Sequence, residues 1–391
     1  MQSTKFIHLP LWILTSLMLL STSIEAQNIE HSKVSLGQML FFDPILSLSG
    51  KQSCASCHDP NHAFIDKRTN NSLGAGSLGH DDRLLGDRNT PSAAYANQTP
   101  EFHINNLGEY VGGMFWDGRE CDLKAQAGGP PLNPIEMAMP NKEAISEKLK
   151  RDRKYATTFK TVFGEDIFDS AEQTYEAVKE SLAAFENTDF FSPFDSKYDR
   201  YLNGEYQLNE QEELGMTLFF SQQFTNCNEC HQLNKRPLTE KETFSDYRYH
   251  NIGIPENALL RSLNKSPKGY VDVGLLNNPS VNDEQHRGKF KTPSLRNVAL
   301  TSPYMHNGAF KELKTVIAFY NKYNSKKPAN QINPETNLPW ENPEVADNIA
   351  LDLLQKGSAL NEQRINALVA FLKLLTDKRY EHLIENYNFS Q

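Results

Sequence analysis

Two pentapeptides carry the most specific chemistry in this chain: Cys54-Ala55-Ser56-Cys57-His58 and Cys227-Asn228-Glu229-Cys230-His231. Each is a CxxCH motif, the spacing used to attach a c-type haem. The chemistry accounts for the spacing. The two thiols add to the two vinyl groups on one edge of the macrocycle, and the adjoining imidazole becomes the proximal ligand of the iron. A zinc site, a redox-active CxxC or two local disulfides would also use cysteine pairs, but none of them needs His after the second Cys, and here it follows twice. The sequence thus predicts two covalently bound haem c groups.

Both motifs must be presented by elements that cover a haem, and the chain repeats itself ahead of each. Leu36-Gly37-Gln38-Met39-Leu40-Phe41-Phe42 precedes the first motif, and Leu214-Gly215-Met216-Thr217-Leu218-Phe219-Phe220 precedes the second. An LGxxLFF helix leading into CxxCH predicts two related cytochrome c-like units. Ala171, Tyr175, Val178, Leu182 and Phe185 form an apolar helical stripe behind Ser170 and Gln173, a capping-box pair. Ile365, Leu368, Leu372 and Leu375 form another after Asn361, so the chain is predicted to close with a helix packed on its own domain. Between Gly74 and Pro140 periodicity fades while Gly and Pro rise, which predicts ordered loop. The expected fold is mainly α: two cytochrome c-like haem domains with long ordered loops, residues 27–200 and 201–391, divided near Asp195–Gln207.

Composition narrows the class. Of 391 residues, 38% are hydrophobic, which is too apolar for a disordered chain, and five Cys are too few for a disulfide scaffold of this length. A net charge of -9 argues against nucleic acid as a partner. The strongly apolar run Leu9–Leu20 follows Lys5 and leads to Ala26, and so reads as a signal peptide over residues 1–26. It is shorter than a bilayer span requires; an uncleaved anchor is the alternative. The mature chain is then exported, with no membrane span after cleavage and a periplasmic location. Cys121 is the cysteine left over, and is expected to be a buried, inert thiol.

Two further segments go beyond an electron carrier. The first is Phe115-Trp116-Asp117-Gly118-Arg119, followed by Gln126, Gly129-Pro130 and Glu136-Met137. The second runs from Phe290-Lys291-Thr292-Pro293-Ser294-Leu295-Arg296-Asn297 through Thr301-Ser302-Pro303-Tyr304-Met305-His306-Asn307-Gly308. At these residues the sequence resembles the bacterial dihaem cytochrome c peroxidase family over nearly all of its mature length. The resemblance implies an enzyme whose N-terminal haem meets peroxide and whose C-terminal haem stores or relays oxidising equivalents, with Trp116 between them. It also implies Glu136 as the distal acid–base group, with Gln126 and Pro130 lining the same pocket. Chemistry agrees, because a peroxidase iron needs an open face and a nearby group that moves a proton between the peroxide oxygens. On bare sequence, Glu136 reads as solvated surface and Trp116 as a core aromatic.

The ligand opposite His231 separates branches of the family. Ordinary members place a Met on the helix after PYxHxG; here the helix Glu312–Tyr323 has no Met, and Tyr320 stands 14 residues beyond His306. Tyrosinate is what one branch shows at this position. It is a hard, anionic donor that favours oxidised iron. The intervals also match that branch, 58 residues from His58 to Trp116 and 89 from His231 to Tyr320. The resemblance further implies an interdomain Ca2+ ion at Asn89, Thr301 and Pro303, which on bare sequence are loop residues. His80 resembles the loop His that caps the first iron in resting peroxidases, although an exposed loop His is the commoner case. Phe224 and Thr225 stand before the second motif where a relay Trp would be sought, which puts an aromatic route through that surface in doubt.

The substrate of the tyrosinate branch is the precursor of methylamine dehydrogenase, and its product is the tryptophan tryptophylquinone cofactor, made with H2O2 or with O2 plus electrons. The same-fold alternative is a cytochrome c peroxidase that reduces H2O2 to water with electrons from a small redox cytochrome. A non-catalytic dihaem carrier would need both irons fully ligated and would have no use for Glu136.

Overall fold

The computed structural model describes residues 29–387 other than 69, 235 and 237. The predicted signal, residues 1–26, lies outside the described residues. The chain runs as α1 (29–42), the single turn α2 (Cys54–Cys57), the hairpin of β1 (His103–Ile104) and β2 (Tyr110–Val111), then α3 (Leu123–Ala127), α4 (Lys142–Arg151), α5 (Arg153–Phe163), α6 (Ala171–Glu186) and α7 (Lys197–Leu202). The second half follows with α8 (Glu210–Phe219), β3 (Tyr249–His250), α9 (Ala258–Leu263), β4 (Phe290–Lys291), α10 (Leu313–Asn324), β5 (Ile332–Asn333), β6 (Leu338–Pro339), α11 (Leu351–Leu354), α12 (Glu362–Lys373) and α13 (Glu381–Tyr387). Among the described residues the strands form only short antiparallel pairs, β1 with β2, β3 with β4 and β5 with β6, so the fold is mainly α as expected.

The LGxxLFF repeat is explained by two equivalent helix crossings. A Cβ on Gly37 of α1 would stand 1.8 Å from the Ser181 carbonyl oxygen and 2.9 Å from Phe185 Cβ, both on α6. A Cβ on Gly215 of α8 would stand 1.9 Å from the Ala367 carbonyl oxygen and 2.9 Å from Phe371 Cβ, both on α12. Each pair of helices therefore meets backbone to backbone at the glycine. One turn on, Phe41 packs edge-on against Phe185 at 5.6 Å, and Phe219 lies 4.9 Å from Phe371. The apolar stripe of α6 is buried as its spacing requires, and Ser170 caps it by accepting the Gln173 amide. Asn361 does the same for α12.

Two apolar clusters result, one drawing on Leu36 to Phe191 and the other on Tyr198 to Leu375. Buried polar ties join the halves. Arg296 is wholly buried and takes both carboxylate oxygens of Asp199, at 2.6 and 2.9 Å. Asn297 donates to Asp377 at 2.9 Å, and Asp377 also receives the Tyr95 hydroxyl at 2.6 Å. Apart from β1, β2, α3 and short turns, the stretch from Gly74 to Pro140 is ordered loop, pinned by side chains such as Asn70, which donates to the Gly76 carbonyl, and Arg68, which donates to that of Leu78.

One expectation is corrected. α12 packs on its own half as expected, but the chain does not close there: it continues through Lys378–Tyr380 into α13 and returns to the first half. Tyr380 is buried beside Ala63 and Leu300 and donates to the Pro60 carbonyl at 2.6 Å, while Arg379 donates to that of Phe190 at 2.7 Å. This segment, Asp377-Lys378-Arg379-Tyr380, is charged and aperiodic, so no amphipathic pattern announces it.

The crossings make a direct prediction. Gly215→Ala should cost at least about 1–3 kcal/mol by overpacking a backbone contact that has no flexible side chain to yield. A thermal melt of the haem-loaded variant that coincides with wild type would refute it.

Candidate active site

The second motif faces a cavity of about 250 Å3 whose wall includes Cys227, Cys230, His231 and Tyr320, closed largely by apolar groups such as Ile254, Leu313, Val316 and Leu368. Two thiols, an imidazole and a phenol on one apolar wall are a donor set that fits a c-type haem with a tyrosine as its second axial ligand. The structure thus brings together all four residues the sequence assigned to this site. His231 Nδ1 lies 3.2 Å from the Phe244 carbonyl, a contact that orients a ligating imidazole. Burial holds its pKa below the usual value, so it is neutral and suited to a metal. Burial pushes the Tyr320 hydroxyl upwards, with Cys230 and Cys227 adding to the effect, so only a cation facing the oxygen would favour the phenolate.

The first motif is built alike. Cys54 and Cys57 form the turn α2, and His58 at its end places Nδ1 3.2 Å from the Phe64 carbonyl. Phe64 and Phe244 are both fully buried and both in the left-handed region, at φ 55° and 57°. Sequence reasoning missed this pair because the His-to-Phe intervals differ, six residues in one half and thirteen in the other. Cys57 Sγ receives Arg68 Nη2 at 3.1 Å and Gln52 Nε2 at 3.4 Å. Burial raises its pKa to about 12, which keeps this thiol protonated.

Gln126, Pro130 and Glu136 lie on one folded segment. Asp122 caps α3, which carries Gln126; the Gln126 carbonyl accepts the Gly129 amide at 2.9 Å, and the Pro130 carbonyl accepts that of Met137 at 3.3 Å. Glu136 is half-buried and accepts a bond from Asn133 Nδ2 at 2.8 Å. Burial raises its carboxyl pKa against the opposing pull of Arg119. Its carbonyl receives the backbone N–H of His80 at 2.7 Å, which ties the His80 loop to the acid. A second acid, Glu186, was not anticipated. It ends α6 near enough to Cys54 to raise that thiol, and burial lifts its own pKa to about 8.

Trp116 lies in the wall between the halves. Its indole N–H donates to the Asn89 carbonyl at 2.8 Å, and its own carbonyl accepts the Lys291 amide at 2.9 Å. It lines the cavity described above and also a second one of about 180 Å3, whose wall includes Asn89, Thr301 and Pro303. The three residues expected around Ca2+ therefore meet at one interdomain space, although a Ca2+ shell of six to eight oxygens would need water as well. Cys121 departs from expectation: its side chain is exposed, on the loop that runs from the Trp116 segment into α3, rather than buried and shielded.

Comparison with known proteins agrees with this architecture. The model of the di-haem cytochrome c peroxidase family matches residues 31–207. The chain is 48% identical over 370 residues to the methylamine utilization protein MauG of Paracoccus denitrificans, covering 95% of both chains. It is 31% identical over 295 residues to the cytochrome c peroxidase Ccp of Escherichia coli, covering 75% of this chain and 54% of that protein. The solved dihaem peroxidase BthA of Burkholderia thailandensis superposes with a TM-score of 0.78 at 30% identity, over 89% of this chain and 87% of the other. The chain belongs to the dihaem cytochrome c peroxidase family, whose members carry two c-type haems. Within it, this oxidoreductase is MauG-like.

Glu136 supplies a test. Its raised pKa means that the carboxylate needed to accept a proton from peroxide forms only as pH climbs through that value, so the peroxide reaction should quicken with pH. Glu136→Gln should slow it about 10²–10⁴-fold and flatten the pH profile. Stopped-flow mixing with H2O2 measures both; an unchanged rate would exclude Glu136 from the step.

Proposed function

We propose that this oxidoreductase acts in the periplasm, using H2O2, or O2 plus electrons, to oxidise a protein substrate from a distance. We assign that substrate as the precursor of methylamine dehydrogenase, whose tryptophan tryptophylquinone is thereby formed. The observation that carries this reading is Tyr320, on the same cavity wall as Cys227, Cys230 and His231 and on a helix without Met. The similarity to a methylamine utilization protein over 95% of the chain supports it.

In this reading residues 27–200 hold the peroxide-reactive haem through Cys54, Cys57 and His58, and residues 201–391 hold the other through Cys227, Cys230, His231 and Tyr320. Ca2+ takes oxygens of Asn89, Thr301 and Pro303. Bound there, the two haems supply iron centres that react with peroxide and retain its oxidising equivalents. The chain's own part is acid–base and positional. Glu136 takes a proton from the arriving peroxide and delivers it to the departing oxygen, part of the two protons and two electrons that turn H2O2 into two waters. Gln126 and Pro130 restrict the space above the reacting oxygen. Trp116, bonded at both its indole and its carbonyl, keeps one aromatic ring fixed between the halves.

A folded protein cannot enter a cavity of about 250 Å3. Recognition therefore falls to surface docking, where charge sets orientation. Among the described residues no helix is long and apolar enough to cross a membrane.

A second reading, reduction of H2O2 with electrons from a small redox cytochrome, is favoured by the bond that holds the His80 loop against Glu136. EPR and visible–near-infrared spectra of the ferric protein separate the two. The expected result is one high-spin and one low-spin haem, with the low-spin signal altered in Tyr320→Phe. A Met–iron charge-transfer band would remove the tyrosinate assignment, and fast turnover with reduced cytochrome c would favour the second reading. Two low-spin haems inert to peroxide would mark a carrier.

A further inference from the structure

Lys291 is a half-buried lysine that the chemistry above does not use. It belongs to β4, opposite Tyr249 of β3, and its side chain reaches across the interface to donate to the Gly113 carbonyl on the Trp116 loop. Among the described residues it is the only charged side chain common to the walls of both cavities, and Trp116 shares both walls with it. An ammonium has three N–H groups, and one carbonyl satisfies one of them.

The nearby carboxylates are already engaged. Asp117 holds Arg88 at 2.7 Å and Arg119 at 2.9 Å, and Asp272 holds Arg88 through both oxygens at 2.7 Å. Burial draws the Lys291 pKa down to about 7, which is the cost of an ammonium without an anion of its own. A second polar atom faces the same cavity unpaired. His306 is 4% exposed, its ring stacks on Phe290 at 3.6 Å, and its Nε2 has no hydrogen-bond partner among the described residues. Phe290 and Lys291 are consecutive residues of β4. A cation and an imidazole nitrogen on the wall of one largely apolar cavity call for an anionic acceptor between them.

We propose that Lys291 is a positioning cation for the second haem: its ammonium, with the Nε2–H of His306, receives a propionate of the haem attached at Cys227 and Cys230. This rests on the haem assignment of that cavity, not on the identity of the protein substrate. Two consequences follow from electrostatics. The propionate edge faces the wall that carries Trp116, and the positive charge disfavours ferric iron, which holds the midpoint potential up.

Covalent attachment makes the test clean, because losing the anchor does not release the haem. Holoprotein carrying Lys291→Met, Lys291→Arg or His306→Gln is compared with wild type by pyridine haemochrome count, EPR, spectroelectrochemical titration and the propionate bending band in resonance Raman spectra. Two haems per chain must be counted in wild type, and its EPR reports the iron ligands separately, so a wrong ligand at Tyr320 would show there and leave the potential comparison standing. Lys291→Met should lower the second haem's potential by at least about 59 mV, a tenfold change in its one-electron equilibrium, and shift the bending band. Lys291→Arg should hold the potential, and His306→Gln should shift the band. Equal potentials in wild type and Lys291→Met, or an equal fall in Lys291→Arg, would overturn the proposal. An unmoved band in His306→Gln would overturn it independently, and decides the matter if Lys291→Met fails to accumulate.

Discussion

The arrangement of the two halves depends on one guanidinium. Arg88, from the first half, spends Nε and Nη2 on Asp272 of the second half and Nη1 on Asp117, the residue after Trp116. Both carboxylates are almost completely buried. Without Arg88 two desolvated negative charges would lose their shared partner, a defect of about 3–5 kcal/mol. The pair also fixes a distance. Asp117 cannot shift without moving Trp116, and Asp272 cannot shift without moving the wall of the cavity that faces the second CxxCH motif, so the ring between the two sites is held from both sides. A path for electrons over long range needs this rigidity more than it needs a large pocket.

The site chemistry is unevenly readable in the sequence, for a physical reason. CxxCH is legible because covalent attachment and proximal ligation need contiguous chain. Tyr320 is legible only through the family resemblance, which marks the position 14 beyond His306; several other residues of α10, Leu313, Val316 and Ile317 among them, face the same cavity. The repeated LGxxLFF is legible as pattern, though its cause, a bare backbone contact at Gly37 and Gly215, emerges only with the crossing helices in place. The carbonyls of Phe64 and Phe244 are not legible, since the loops that deliver them differ in length. Glu186 reads as the end of a helix, and Lys291 as one more basic residue, until folding half-buries them. Cys121 shows the converse error: a lone thiol near a functional loop suggests burial, yet nothing local compels it.

The loop-rich character of the first half follows from the same economy. Between Gly74 and Pro140 the chain holds its shape through side-chain bonds to backbone and through bonds to the other half, such as Asn278 Nδ2 to the Gly118 carbonyl at 2.7 Å and the Tyr249 hydroxyl to that of Gly112 at 2.6 Å. Its order is therefore a property of the assembled molecule rather than of the segment. This is why helical periodicity locates the supports of the site and says little about the residues that shape it.

The C-terminal segment lies far from the first haem motif in the chain. Yet Tyr380 closes on Pro60 and Ala63, beside the Phe64 carbonyl that orients His58. The earliest ligand loop of the protein is thus finished by some of its last residues. The partners of that contact stand 320 positions apart, so the surroundings of Cys54 and Cys57 are complete only when both halves are folded together.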